Sequence, residues 1–89
     1  MPQKAKTHKT RTDNEVRRFR SSVRWKKFRA WVLSGNPLCQ GLCARTGIVK
    51  AAEELHHIQP LRLRMDLALD ESNVLSLCSS CHRRIEGTK

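Results

Sequence analysis

The chain has 89 residues, a formal net charge of +10 and a mean hydropathy of −0.60. This length leaves room for one small domain, and no apolar run approaches the roughly 20 residues of a transmembrane helix. Only 4% of the residues are aromatic, so the core should be thin and should need a metal or another cross-link. Nothing near the N-terminus resembles a signal peptide, and the four cysteines are therefore expected in a reducing, cytoplasmic compartment.

The first predicted element is a basic, flexible arm over residues 1–20. Residues 1–29 hold 11 of the 18 lysines and arginines but only two of the eight acids, which leaves this segment at +9. Such a concentration of positive charge favours a polyanionic partner, most simply DNA or RNA. The alternative is a solubilising tail without a partner.

A helix should follow the arm. Ser21 or Ser22 can cap its start, and Gly35 and Pro37 should end it. Apolar residues recur along it at mostly helical spacing, at Val23, Trp25, Phe28, Trp31 and Val32. The other face carries the cations Arg24, Lys26, Lys27 and Arg29. The helix is therefore predicted to be amphipathic, with cations that either contact nucleic acid or merely face solvent.

The remaining elements predict a small α+β domain over residues 21–89. Residues 36–43 should form a tight knuckle rather than a regular element, and residues 51–58 should contain a short strand that Pro60 ends or places at a sheet edge. Residues 61–72 are expected to be a connection with one short helical turn. A second strand is predicted over residues 74–77, followed by a short helix from Cys78 to about Glu86.

The four cysteines form two pairs, Cys39/Cys43 and Cys78/Cys81. Paired thiolates at such spacing converge on one ion, and two pairs make the tetrahedral set of a structural zinc site. Four independent reduced cysteines are the alternative. The segment Cys78–His82 also matches a c-type haem attachment pattern, but that reading leaves the first pair without a role.

Three segments carry a resemblance to a known family. They are Leu55-His56-His57-Ile58-Gln59-Pro60, Asn73-Val74-Leu75-Ser76-Leu77-Cys78 and Cys81-His82-Arg83-Arg84. In this combination they resemble the HNH endonuclease family, in its small stand-alone phage or bacterial form with a four-cysteine zinc site. The resemblance extends over about residues 23–85. It implies a ββα-metal (His-Me finger) core, preceded here by the basic amphipathic helix.

The resemblance also implies roles for four residues. His57 matches the general base, since a neutral imidazole can take a proton near pH 7. His56 and His82 match the positions that bind a catalytic divalent metal, and Asn73 matches a residue that orients the base. On their own, the histidines could equally be surface residues and Asn73 a turn residue. Glu53 and Glu54 are interpreted as solvated carboxylates, with assistance to the site as the alternative.

One departure from the family pattern concerns the metal. Many members have Asp where this chain has His56, and imidazole is a softer ligand than carboxylate. The substitution predicts better activity with Mn²⁺, Ni²⁺, Co²⁺ or Zn²⁺ than with Mg²⁺.

These observations predict a metal-dependent DNA endonuclease with a one-metal, histidine general-base mechanism. The sequence leaves open whether the enzyme nicks one DNA strand, whether it forms a dimer, and whether a phage packaging (terminase) protein is its partner. The expected location is the cytoplasm of a bacterial host cell. The alternative function is a non-catalytic zinc module that binds nucleic acid. The predicted nucleic-acid contacts are Arg17, Arg18, Arg20, Arg24, Lys26, Lys27, Arg83 and Arg84.

Overall fold

The structure is a computed structural model that describes residues 10–87. Its helices and strands, in chain order, are α1 (Asp13–Arg20), α2 (Val23–Gly35), α3 (Leu42–Arg45), β1 (Glu54–His57), β2 (Val74–Leu77) and α4 (Ser79–Gly87). This order confirms the predicted α+β class. Over residues 10–87, the structure contains no helix with the length and apolar character needed to cross a membrane.

Helix α1 lies inside the segment that was predicted to be a flexible arm. Thr12 and Glu15 form a capping box at its start, in which each side chain accepts a hydrogen bond from the other residue's backbone N–H, at 3.1 and 2.8 Å. At its end, Phe19 packs against Trp25 with ring centroids 5.6 Å apart. Residues 13–20 are therefore folded against α2, which corrects the expectation of an arm there. Residues 1–9 of the predicted arm lie outside the described residues.

Helix α2 begins and ends where the sequence predicts. The hydroxyl of Ser22 caps it by accepting a hydrogen bond from the Trp25 N–H at 3.2 Å. Trp25 and Val32 are buried, whereas Trp31 is 60% exposed, so only part of the apolar stripe faces the core. The core cluster is formed by Trp25, Val32, Leu55 and Val74, with Phe19, Phe28, Leu33 and Leu69 packed around it.

Strands β1 and β2 form an antiparallel pair in which Glu54 lies opposite Leu77 and His57 opposite Val74. Side chains of β1 alternate in burial, as strand geometry requires. Leu55 and His57 are buried, and Glu54 and His56 are half-buried. Both predicted strands are confirmed.

Two connections differ from their predictions. In the knuckle, α3 begins at Leu42, so Cys43 lies on a one-turn helix rather than in an irregular segment. Between the strands, the chain forms two short 3-10 turns, Met65–Leu67 and Glu71–Asn73, instead of one helical turn. These turns fold the connection back over the end of β1, and the carbonyl oxygen of Ala68 therefore lies next to the ring of His57.

Candidate active site and metal centres

The four cysteines converge on one point at the junction of α3, β2 and α4. Their sulfur atoms all lie within 4.8 Å of one another. The Cys43 sulfur is 3.9 Å from the sulfurs of both Cys78 and Cys81. Four sulfurs about 2.3 Å from a tetrahedral zinc ion would be about 3.8 Å apart. The cluster therefore fits the predicted structural metal site.

The surroundings of this cluster favour the thiolate form at Cys39, disfavour it at Cys43, and pack the knuckle closely against β2. Burial raises the pKa of the Cys39 thiol, but hydrogen bonds from the Cys78 and Gly41 backbone outweigh that effect and bring it to about 6. Burial and the other thiols raise the pKa of Cys43 to about 12. A Cβ atom at Gly41 would lie 2.8 Å from Leu77 Cδ2, so only glycine lets the knuckle approach β2 this closely.

A second cluster that could hold a metal ion joins His56 of β1 with His82 and Glu86 of α4. One ligand atom from each lies within 4.8 Å of the others. The two imidazole rings meet edge to face with centroids 5.4 Å apart, and His82 Nε2 is 3.1 Å from Glu86 Oε2. Two imidazoles and one carboxylate suit a divalent transition metal. The structure thus brings the two predicted metal-binding histidines together and adds Glu86.

The consecutive acids Glu53 and Glu54 both contact α4. Glu54 Oε1 accepts a hydrogen bond from His82 Nδ1 at 2.5 Å. Glu53 Oε1 accepts one from the backbone N–H of Ser79 at 3.1 Å, and this bond holds the pKa of Glu53 below its ordinary value. Glu53 is exposed and the side chain of Glu54 is 41% exposed, so both remain solvated in part. The hydrogen bond between Glu54 and His82 is the kind of contact that the alternative, assistance to the site, requires.

His57, at the end of β1, occupies a different environment from His56. It is 7% exposed, and its ring packs against Trp25 with centroids 5.0 Å apart. Its Nε2 lies 3.0 Å from the carbonyl oxygen of Ala68. Because a carbonyl only accepts, neutral His57 carries its proton on Nε2, and its Nδ1 keeps a lone pair.

The charge state of His57 follows from the same surroundings. Burial lowers the pKa of His57 below the ordinary value of 6.5, and the nearby positive charge of Arg20 lowers it further. The hydrogen bond to Ala68 acts in the opposite direction and raises the pKa, but its effect is smaller than that of burial. His57 is therefore neutral at pH 7, as a proton acceptor must be.

Asn73 ties together the connection that follows β1. Its Oδ1 accepts from the Gln59 N–H at 2.9 Å, and its Nδ2 donates to the carbonyls of Gln59 and Leu67 at 3.2 and 3.4 Å. Leu67 directly precedes Ala68, whose carbonyl contacts the His57 ring. Asn73 thus reaches His57 through the backbone, not by a direct contact.

His56, His57, His82 and Glu86 border one open cleft. Helix α1 forms another side of this cleft through Asp13, Val16 and Arg20. Arg62 also lines the cleft. Arg62 pairs with Asp13, and its carbonyl accepts from the Arg11 N–H at 2.8 Å. The start of α1 is thereby fastened beside the histidines.

The predicted nucleic-acid contacts are all exposed, but they do not form one compact group at the cleft. Arg20 lines the cleft itself, and Arg83 borders a neighbouring depression together with Glu54, His82 and Glu86. The other six lie elsewhere on α1, α2 and α4: Arg17, Arg18, Arg24, Lys26, Lys27 and Arg84.

Sequence reasoning missed two contributors to this site, Glu86 and Arg62, and treated a third, Glu54, only as the less favoured alternative. Glu86 follows His82 by four residues, a spacing that places two side chains on the same face of a helix. Glu54 precedes His56 by two residues, which places both on one face of a strand. Both spacings could have been read from the sequence. Arg62 reaches the cleft from an irregular connection, for which no periodic signal exists.

Comparisons with known proteins identify the family of this chain. The family model described as HNH endonuclease matches residues 39–87. Among solved structures, the chain is similar to an HNH endonuclease of the deep-sea thermophilic bacteriophage GVE2, crystallised with manganese ion. The two share 34% sequence identity with a TM-score of 0.76, over 85% of this chain and 83% of the phage chain. The search of curated proteins finds no match.

Proposed function

The chain belongs to the HNH endonuclease family and is a nuclease, and from this premise we propose that it hydrolyses phosphodiester bonds in DNA with His57 as general base and one divalent metal ion. The observation that carries the proposal is the shared cleft. It is bordered both by the buried His57 and by the His56–His82–Glu86 cluster.

His57 has the properties that a general base needs. Its Nε2 is engaged by the Ala68 carbonyl, so its Nδ1 can take the proton of an attacking water. Its low pKa keeps it neutral at pH 7. Such a proton transfer typically accelerates a reaction by ~10²–10⁴-fold.

The metal would be held by His56, His82 and Glu86. A divalent ion bound there would supply Lewis-acid stabilisation of charge on the phosphate and its leaving oxygen. Two imidazole ligands favour Mn²⁺, Ni²⁺, Co²⁺ or Zn²⁺ over Mg²⁺, which prefers oxygen ligands and octahedral hydration. The manganese ion in the phage relative supports this preference. The four cysteines would hold zinc as a structural ion.

DNA would reach the cleft along the basic surface of the protein. Arg20 and Arg83 lie beside the reacting groups, and the exposed cations of α1 and α2 extend the positive surface outward. Contacts of this kind position phosphates and carry no base specificity. Binding should therefore weaken steeply with salt, because each neutralised phosphate releases counterions.

Among its described residues, one chain offers one such cleft. A single cleft can cut only one strand of a DNA duplex at a time. We therefore propose nicking as the activity of a single chain, with double-strand cutting dependent on a dimer or on a partner protein. The phage origin of the solved relative supports a role in phage DNA processing inside a bacterial host, where a packaging terminase is the candidate partner.

The test is a plasmid-nicking assay with Mn²⁺ or Ni²⁺ that compares the wild type with His57→Ala. The proposal expects metal-dependent relaxation of supercoiled plasmid by the wild type and its loss in the variant. If the purified wild type binds plasmid but shows no metal-dependent cleavage, the protein is a non-catalytic nucleic-acid-binding zinc module instead.

A further inference from the structure

His82 is held on both sides of its imidazole ring by carboxylates from different elements. Its Nδ1 is 2.5 Å from Glu54 Oε1 of β1, and its Nε2 is 3.1 Å from Glu86 Oε2 on its own helix. The group of residues that could hold an ion contains His56, His82 and Glu86 but not Glu54, and Nε2 is the His82 nitrogen that lies beside Glu86 of that group. The two carboxylates therefore have different tasks.

We propose that Glu54 is a positioning residue of the metal site, which fixes His82 in the tautomer and orientation that present Nε2 to the ion. This inference rests on the proposed function, because it concerns the same metal site. A carboxylate accepts a hydrogen bond from Nδ1 and cannot donate one. When Nε2 binds a metal ion, neutral His82 carries its proton on Nδ1, where Glu54 accepts the hydrogen bond. Partners of this kind also raise the basicity of a histidine ligand, and losing them typically costs 10–100-fold in metal affinity.

The position of Glu54 on the strand explains how it reaches His82. Residues two apart on a strand share a face, so Glu54 and His56 both face α4. His56 supplies a ligand atom of its own, while Glu54 forms a hydrogen bond with His82, a ligand on α4. The half-buried state of Glu54 and His82, with side chains 41% and 20% exposed, limits competition from water for their hydrogen bond.

The neighbouring Glu53 offers a matched control. It carries the same charge one residue away, yet its carboxylate accepts from the backbone N–H of Ser79 at the start of α4 and not from a metal-binding side chain. Glu53→Gln removes that charge and retains an oxygen that can accept the same bond. A general effect of negative charge on cation binding would therefore appear equally in both positions.

The experiment measures Mn²⁺ affinity by calorimetry or by the electron paramagnetic resonance signal of free Mn²⁺, on zinc-loaded protein without DNA. Glu54→Ala should lower the affinity by 10–100-fold. Glu54→Gln should lose less Mn²⁺ affinity, since its amide oxygen can still accept the hydrogen bond from His82 Nδ1. Glu53→Gln should bind Mn²⁺ as tightly as the wild type does. Circular dichroism and zinc content establish that each variant is folded, and Glu54→Gln serves if Glu54→Ala does not fold.

A second measurement reads the tautomer directly. In Glu86→Ala protein with zinc at the four cysteines and no ion at the second site, long-range ¹⁵N–¹H spectra at alkaline pH should show His82 with its proton on Nδ1 and His57 with its proton on Nε2. The substitution removes the carboxylate that competes at Nε2. When Glu54→Ala is added, His82 should shift toward the Nε2–H form that free imidazole side chains prefer, while His57 stays unchanged. A variant that only loosened the fold would not invert one tautomer selectively.

The inference is overturned if Glu54→Ala binds Mn²⁺ as tightly as the wild type, or if Glu53→Gln loses as much affinity. It is also overturned if His82 carries its proton on Nε2 in the Glu86→Ala protein. Failure of the proposed function is a distinct result, because the wild type itself would then neither bind Mn²⁺ at this site nor nick plasmid.

Discussion

The indole of Trp25 packs against the imidazole of His57, with ring centroids 5.0 Å apart and planes inclined by 35°. The same indole also contacts Phe19 and Phe28. The proposed base is therefore attached to the main hydrophobic cluster and not to a surface loop. Burial by this cluster keeps His57 neutral and restricts the motion of its ring, so core packing and base position depend on each other.

Trp25→Ala should destabilise the domain by about 3–5 kcal/mol, the usual cost of emptying a buried aromatic site. Trp31→Ala is the matched control, because Trp31 lies on the same helix but is 60% exposed, and it should change stability by no more than about 0.5 kcal/mol. Urea denaturation of zinc-loaded protein measures both. Equal effects of the two substitutions would contradict the assigned core.

Asn73→Ala should reduce both stability and cleavage. It leaves the backbone N–H and carbonyl of Gln59 without their partner, at a cost of about 1–3 kcal/mol. It also releases the connection that carries the Ala68 carbonyl. Thermal unfolding and the plasmid-nicking rate at equal zinc content measure the two effects. Asn14→Ala is the control, because Asn14 is exposed and its side chain accepts a hydrogen bond from the side chain of Arg17 at the protein surface. A normal nicking rate in folded Asn73→Ala would contradict the proposed role of Asn73.

The strands and α2 could be predicted because their signals are local. Ser22 caps α2 and Leu55 and His57 alternate with more exposed neighbours, so short windows of sequence contain the information. Helix α1 was not predicted, because a dense run of cations is typical of a flexible arm, although Thr12 and Glu15 carry the spacing of a capping box. Its stability depends on the packing of Phe19 against Trp25, which is a tertiary contact.

The site shows the same division between local and tertiary information. The cysteine cluster could be predicted from the paired spacing of the cysteines, and the roles of the histidines from the resemblance to the HNH endonuclease family. The question of how the adjacent His56 and His57 serve one cleft had no answer in the sequence. In the structure, His56 faces His82 and His57 faces Trp25, and both border the cleft where β1 ends.

Cys78→Ser should remove zinc and unfold the domain, since a structural zinc site contributes apparently ~10–16 kcal/mol in small zinc peptides. Ser80→Ala is the matched control at the start of α4, because Ser80 is exposed and is not part of the cysteine cluster. Zinc content by mass spectrometry and circular dichroism measure the outcome. A folded, zinc-loaded Cys78→Ser protein would contradict the structural role of the cluster.

Asp70 should contribute stability that depends on pH. Hydrogen bonds from the hydroxyl and the backbone N–H of Ser72 hold the pKa of Asp70 below its ordinary value of 3.8. The unfolded chain therefore binds the proton more readily, so the contribution is present above the ordinary pKa and is lost as pH falls through the lower folded value. Melting temperatures of wild type and Asp70→Asn should differ near neutral pH and converge in acid; a constant difference would contradict the assignment.

The most direct test of the central claim, that His57 acts on the proton while His56, His82 and Glu86 hold the metal, is the Mn²⁺ dependence of plasmid nicking by His57→Ala. The account predicts that the rate at saturating Mn²⁺ falls by ~10²–10⁴-fold, whereas the Mn²⁺ concentration for half-maximal activity stays at the wild-type value. Nicking by folded His57→Ala at the wild-type rate would contradict the account.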